Sequence, residues 1–222
     1  MNKLKEKHPF VIRWTHWINF PLLMLMIWSG ILIYWANDVY SIKIGDFTLF
    51  KFFPEWFYKL FSLDGRLAEG MGWHFFAMWF FAINGIIYFL YLTFSKEWKY
   101  FVPTKDSIKK IPALLLHEVG LKSEVPEFGK FNPIQQIAYL SIIFMGFLSL
   151  VTGLAIYRPT QFSFITNILG GYEYARFEHF WLTIGYLVFF LIHILQVIRA
   201  GWNNFVGMLT GYEIVKVNNE NE

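Results

Sequence analysis

The sequence predicts an all-α fold: an integral membrane four-helix bundle, with both termini cytoplasmic and a short interfacial segment in an outer loop. Three observations predict it. Of the 222 residues, 56% are hydrophobic and only 16% charged, where a soluble domain carries about 25% charged residues. The chain holds four charge-free apolar runs, each long enough to cross a bilayer as a helix. Four spans put both ends on one side, and that side carries 13 Lys and Arg against 6 opposite, so the positive-inside rule makes it the cytoplasm. A single domain over residues 1–222 is expected.

The elements follow in order. Lys3, Lys5, Lys7 and Arg13 precede an apolar run from Trp14 to Asn37. The run is too long for a signal-peptide core and no small-residue cleavage site follows it, so a retained first span over about 11–35 is expected. Pro21 lies in its first turns, where membrane helices tolerate a kink. Residues 36–69 form a loop. Within it, 47–61 reads F-T-L-F-K-F-F-P-E-W-F-Y-K-L-F, aromatics dense among a few charges, as in an amphipathic segment on the membrane or a docking surface. The second span is expected over 70–95, the third over 131–157 and the fourth over 178–200. A lysine-rich loop, 96–130, separates the second and third. After Arg199 comes G-W-N-N-F-V-G-M-L-T-G-Y-E and then a polar, acidic tail that is expected to be disordered.

Composition narrows the chemistry. The chain has no cysteine, which excludes disulfides, iron–sulfur clusters, thiolate-held metals and covalently attached haem. A metal here must be held by His, Met or oxygen. The net charge of +3 is small, and no nucleic-acid partner is expected. Twenty-six Phe and ten Trp are more than the spans need; they read both as interfacial belts and as packing for flat cofactors.

The histidines carry the strongest signal. In the fourth span His179 and His193 are 14 residues apart, which is roughly 21 Å of rise and about 40° short of four full turns. The two imidazoles thus share a face, one near each side of the membrane. A polar ring at that depth needs a partner, and iron suits imidazole; the alternative is bonding to neighbouring helices. Topology then sorts the histidines by depth. The first span runs outward, so His16 is near the cytoplasm; the second runs inward, so His74 is near the outer side. His16 pairs in level with His193, and His74 with His179, the arrangement that two bis-histidine haems require. Gly30 follows His16 by 14 positions and falls at the outer level; Gly85 follows His74 by 11 and falls nearer the inner one. Both read either as gaps for a macrocycle or as ordinary close helix packing. Arg13, Arg176 and Arg199 lie a turn or two from ligand positions and read either as propionate partners or as interfacial side chains. His8 and His117 read as loop residues, and the methionines as core packing.

Taken together, R-W-T-H-W-I-N (13–19), S-G-I-L-I (29–33), the histidine opening the second span, F-N-P-I-Q-Q (131–136), V-T-G-L (151–154) and the paired histidines of the fourth span resemble the di-haem cytochrome b subunits of the bacterial cytochrome b561 / nickel-hydrogenase cytochrome b family. This group includes membrane subunits of formate dehydrogenase, hydrogenase, thiosulfate reductase and related molybdenum enzymes. The resemblance covers nearly the whole chain. It implies two non-covalent b haems, with the first and last histidines on the cytoplasmic haem and the middle two on the outer one, the pairing that depth also gives. It further implies a site for menaquinone or ubiquinone near the cytoplasmic haem, which maps to Asn132 and, less directly, Gln135; here Pro133 and Ile134 replace the small residues often found between them. Asn132 also reads as a helix N-cap before Pro133.

The expected function is therefore an electron-transfer subunit of an oxidoreductase in the bacterial inner membrane. It would join the quinone pool to an outer-side catalytic subunit of the molybdenum or hydrogenase type, directly or through an iron–sulfur or c-type cytochrome subunit. A stand-alone b-type cytochrome acting on superoxide or quinone is one alternative. A haem-free transporter or scaffold is another.

Overall fold

The computed structural model describes residues 2–36, 40–118, 120–121 and 128–216. In chain order the elements are strand β1 (Asn2–Glu6), helix α1 (Phe10–Tyr34), strands β2 (Ser41–Ile44) and β3 (Phe47–Lys51), helices α2 (Glu55–Leu60) and α3 (Leu67–Ser95), and a 3-10 turn (Glu97–Tyr100). Helices α4 (Lys105–Lys109), α5 (Ile111–Glu118), α6 (Pro133–Tyr157), α7 (Ser163–Ile168), α8 (Tyr172–Ala200) and α9 (Trp202–Thr210) follow, and then strand β4 (Tyr212–Lys216). Four of these helices, α1, α3, α6 and α8, are long and apolar enough to cross a membrane, and they fall on the four expected spans. Helix α8 begins at Tyr172 rather than near 178, because a charge-free run marks only the part in hydrocarbon. Its first turns carry Glu173 and Arg176 and are helical all the same.

Burial in the spans is inverted relative to a water-soluble protein. Thr15, Ser29, Asn84 and Thr152 are buried, while Phe76, Phe80, Ile86, Phe144, Phe147, Leu191 and Leu195 on the spanning helices are exposed. Lipid solvates apolar side chains but offers nothing to a hydroxyl or an amide, so polar groups turn inward and small residues mark the helix contacts.

The chain forms two compact units, Met1–Tyr88 with His193–Glu222, and Phe89–Ile192. In the first unit, α3 approaches α1 at Gly70. A Cβ there would stand 2.7 Å from the Leu32 Cβ and 3.0 Å from the Ser29 carbonyl oxygen, so only glycine permits the crossing. Further along, the Asn84 amide donates to the Thr15 carbonyl at 3.0 Å. At the C-terminal end of α1, Leu32, Tyr58 and Leu63 form a buried cluster with Trp28, Ile31, Tyr34, Phe53 and Phe57 around it.

Two loop expectations change. Residues 47–61 are not one amphipathic segment: β2 and β3 form an antiparallel hairpin with a bulge at Ile42/Lys43, followed by the short α2. Alternating side chains and the glycine turn at Gly45 (φ 60°) favour the hairpin, and Pro54 precedes the helix. Beyond Arg199 regular structure continues as far as Lys216, and so takes in the first residues of the tail expected to be disordered. Helix α9 follows Gly201, and β4 pairs antiparallel with β1, from Asn2 opposite Lys216 to Glu6 opposite Tyr212. The pairing of two distant segments, closed by the Lys7–Glu213 ion pair, has no local signature. The acidic end, 217–222, lies outside the described residues.

In the second unit, Asn132 and Gln135 open α6 with a reciprocal capping box. Gln136 donates to the Tyr100 carbonyl at 2.8 Å, and Lys130 pairs with Glu97 at 2.6 Å. Between α6 and α8, the Ser149 and Tyr186 hydroxyls meet at 3.2 Å.

Candidate functional site

Two of the four span histidines come together within the first unit. The ring centres of His16, from α1, and His193, from α8, are 5.9 Å apart with their planes at 59°. With metal–imidazole bonds of about 2.0–2.1 Å, two imidazoles on opposite sides of one ion have their centres roughly 6 Å apart. The measured separation is close to that value. Among the described residues no three His, Asp or Glu side chains cluster as metal ligands do. A bare ion such as zinc takes three or four protein ligands, whereas haem iron brings four of its own and needs only the axial pair.

His74 sits on α3 in the first unit. Its Nδ1 lies 2.9 Å from the Ser29 Oγ of α1. That hydroxyl sends its proton back to the Leu25 carbonyl at 2.7 Å, the usual return of a helical Ser or Thr to the preceding turn. With its proton spent there, the hydroxyl is placed to accept from an Nδ1–H, the tautomer that leaves a lone pair on Nε2, and the Met26 backbone also bonds the ring. Next in sequence, Gly30 stands against the ring: a Cβ there would be 3.6 Å from the His74 Cε1. His179, on α8 in the second unit, has the same surroundings. Its Nδ1 lies 2.8 Å from the Thr152 Oγ1 of α6, which returns its proton to the Leu148 carbonyl at 2.8 Å. Gly153 follows, again 3.6 Å from Cε1 of the imidazole. Metal-bound histidines almost always donate their other ring N–H in this way. All four rings are half-buried.

The remaining expected residues divide. Arg13 donates from Nη1 to the Leu209 carbonyl at the end of α9, at 2.6 Å, while its Nε is buried without a hydrogen-bond partner among the described residues. A buried guanidinium N–H lacking an acceptor suits a carboxylate. Arg176 is held by Glu173 of its own helix at 3.2 Å and lies over Tyr172. Arg199 is exposed in the last turn of α8. Gly85 is exposed, with nothing within 4 Å of where a Cβ would stand. In the capping box the Asn132 Oδ1 accepts from the Gln135 N–H at 2.9 Å, and the Gln135 Oε1 accepts from the Asn132 N–H at 3.1 Å. Both side-chain oxygens are thus engaged, and both NH2 groups lie outside the cap.

Sequence reasoning missed Ser29, Thr152, Gly153, Gly70 and Asn84. One signal was present: a hydroxyl residue followed at once by glycine, in S-G-I-L-I and again in V-T-G-L, each inside an otherwise apolar run.

A family model described as prokaryotic cytochrome b561 matches residues 7–211. The chain is also 32% identical, over 92% of its length and 96% of the relative's, to a protein of Azospira oryzae named putative protein-methionine-sulfoxide reductase subunit YedZ1.

Proposed function

The chain belongs to the prokaryotic cytochrome b561 family, membrane proteins that transfer electrons through haem b, and on that premise we propose that it is a di-haem subunit joining the quinone pool to an oxidoreductase at the outer face of the bacterial inner membrane. His16 and His193 hold the cytoplasmic-side haem. His74 and His179 hold the outer haem, a pairing that rests on their common depth in the sequence reading. Residues 1–222 act as one cytochrome domain with both termini in the cytoplasm. The observation that carries the proposal is the 5.9 Å separation of the His16 and His193 rings.

Bound haem supplies one-electron chemistry at iron. The chain would contribute imidazole ligands, a setting lined by its apolar helices, and hydroxyl partners for the Nδ1 atoms of His74 and His179. Arg13, with its unmatched Nε–H, offers a donor to a propionate. Asn132 and Gln135 offer amide N–H groups to a quinone carbonyl at the cytoplasmic start of α6. The name of the Azospira relative supports a partner that reduces an oxidised substrate, and the family resemblance supports one with a molybdenum cofactor. With such a partner, quinol gives up two electrons and two protons, and the electrons pass outward.

The test is a pyridine haemochrome assay of the purified chain against its protein mass. Two b haems per chain are expected, and one or none overturns the di-haem reading.

A further inference from the structure

We propose that Ser29 and Thr152 are positioning residues that set the reduction potential of the outer haem. The inference rests on the reading of His74 and His179 as that haem's ligands and goes beyond it, because it assigns a role to two side chains that touch no iron.

The argument starts from a repetition. Ser29–Gly30 on α1 faces His74, and Thr152–Gly153 on α6 faces His179. In both cases the hydroxyl lies within 3 Å of Nδ1, at 2.9 and 2.8 Å, and a Cβ on the glycine would lie 3.6 Å from Cε1. Ser29 is fully buried and Thr152 1% exposed, so water does not compete for either hydroxyl. The two modules come from different helix pairs and different units, with Ser in one and Thr in the other. Helix packing alone calls for small residues at such places and does not call for a hydroxyl aimed at Nδ1.

The chemical consequence has a definite sign. Each hydroxyl spends its proton on its own helix, at the Leu25 or Leu148 carbonyl, and presents a lone pair to the Nδ1–H. Accepting that hydrogen bond makes the imidazole more basic at Nε2. A more basic axial ligand favours ferric over ferrous iron, so both hydroxyls lower the potential of the haem they serve. Second-shell hydrogen bonding is one of the main means a protein has of tuning haem. The glycines keep the ring edge clear, so each imidazole keeps the orientation in which the bond forms.

The experiment is potentiometric titration of the haem absorbance in the purified full chain, with haem content measured alongside, for Ser29→Ala, Thr152→Val, Thr152→Ser and His74→Ala. Valine keeps the shape of threonine without its hydroxyl, and serine keeps the hydroxyl without the methyl. Ser29→Ala and Thr152→Val are each expected to raise the midpoint of the same haem component and leave the other in place, while Thr152→Ser titrates as the parent does. Loss of that haem in Thr152→Val with retention in Thr152→Ser supports the same conclusion. Unchanged midpoints at full haem content, or equal effects of Val and Ser at position 152, overturn it. His74→Ala separates this from the underlying reading. If it keeps both haems, the ligand assignment falls; if it loses one while the hydroxyl variants titrate normally, only the tuning proposal falls.

Discussion

At the scale of single residues, each proposed ligand has its own signature. His16→Ala is expected to remove the cytoplasmic-side haem and His74→Ala the outer one, so redox titration should lose a different component in each. Loss of the same component in both would contradict the level assignment. Asn132 carries two roles that substitution can part. Asp caps a helix about as well as Asn, whereas Ala at an N-cap costs about 1 kcal/mol. Asn132→Asp keeps an oxygen for the Gln135 N–H but removes the amide donor. The variant should therefore hold both haems at normal thermal stability, while reduction by a quinol analogue in stopped flow slows at least several-fold. Unchanged quinol kinetics would leave Asn132 as a cap alone. The four histidines and Asn132 stand out in the sequence because imidazoles in charge-free runs, and Asn before Pro, are locally rare. Ser29 and Thr152 do not stand out, since a hydroxyl in a membrane helix is ordinary until something is seen opposite it.

Among the elements, the crossing of α1 and α3 depends on one missing methyl. Gly70 lies one turn before His74, and a Cβ there meets Leu32 at 2.7 Å and the Ser29 carbonyl at 3.0 Å. Backbone cannot yield as a side chain does, and overpacking of this kind costs about 1–3 kcal/mol. Gly70→Ala is expected to lower the melting temperature and weaken retention of the haem proposed for His74. Gly72→Ala, at a position with nothing within 4 Å, serves as the control and should behave as the parent. A Gly70→Ala protein with unchanged stability and haem content would show that the crossing adjusts freely. A second device closes the first unit at the end that holds both chain termini. Strand β4 pairs with β1, Arg13 reaches the Leu209 carbonyl, and the Trp17 indole donates to the Met208 carbonyl at 3.1 Å. These bonds fasten α9 beside the start of α1, next to the residue that presents His16.

For the whole molecule, the charge distribution makes a topological prediction. With 13 basic residues on the terminal side and 6 opposite, both ends should face the cytoplasm. A fluorescent protein fused to the C-terminus should then fluoresce, and an alkaline phosphatase fused there should be inactive. The same phosphatase inserted in the connection between α6 and α8, near α7, should be active. Reversed activities would invert the membrane orientation, and with it the sides assigned to the quinone and the redox partner.

Taken by itself, the sequence determined the membrane class and the four spans, and set the depth expected for each histidine. Those properties are one-dimensional: hydropathy summed along a run, a fixed rise and rotation per residue, and a count of charges on either side. They need no knowledge of which helix neighbours which. Only the tertiary structure decided the rest. It brought the His16 ring to His193, set Ser29 against His74 and Thr152 against His179, and ordered residues 202–216 into a helix and a strand paired with β1. It also turned the aromatic outer loop into a hairpin and a short helix packed at the end of α1. Each of these is a contact between segments far apart in the chain, settled by where a buried hydroxyl or backbone group finds its partner, and no local pattern encodes that choice.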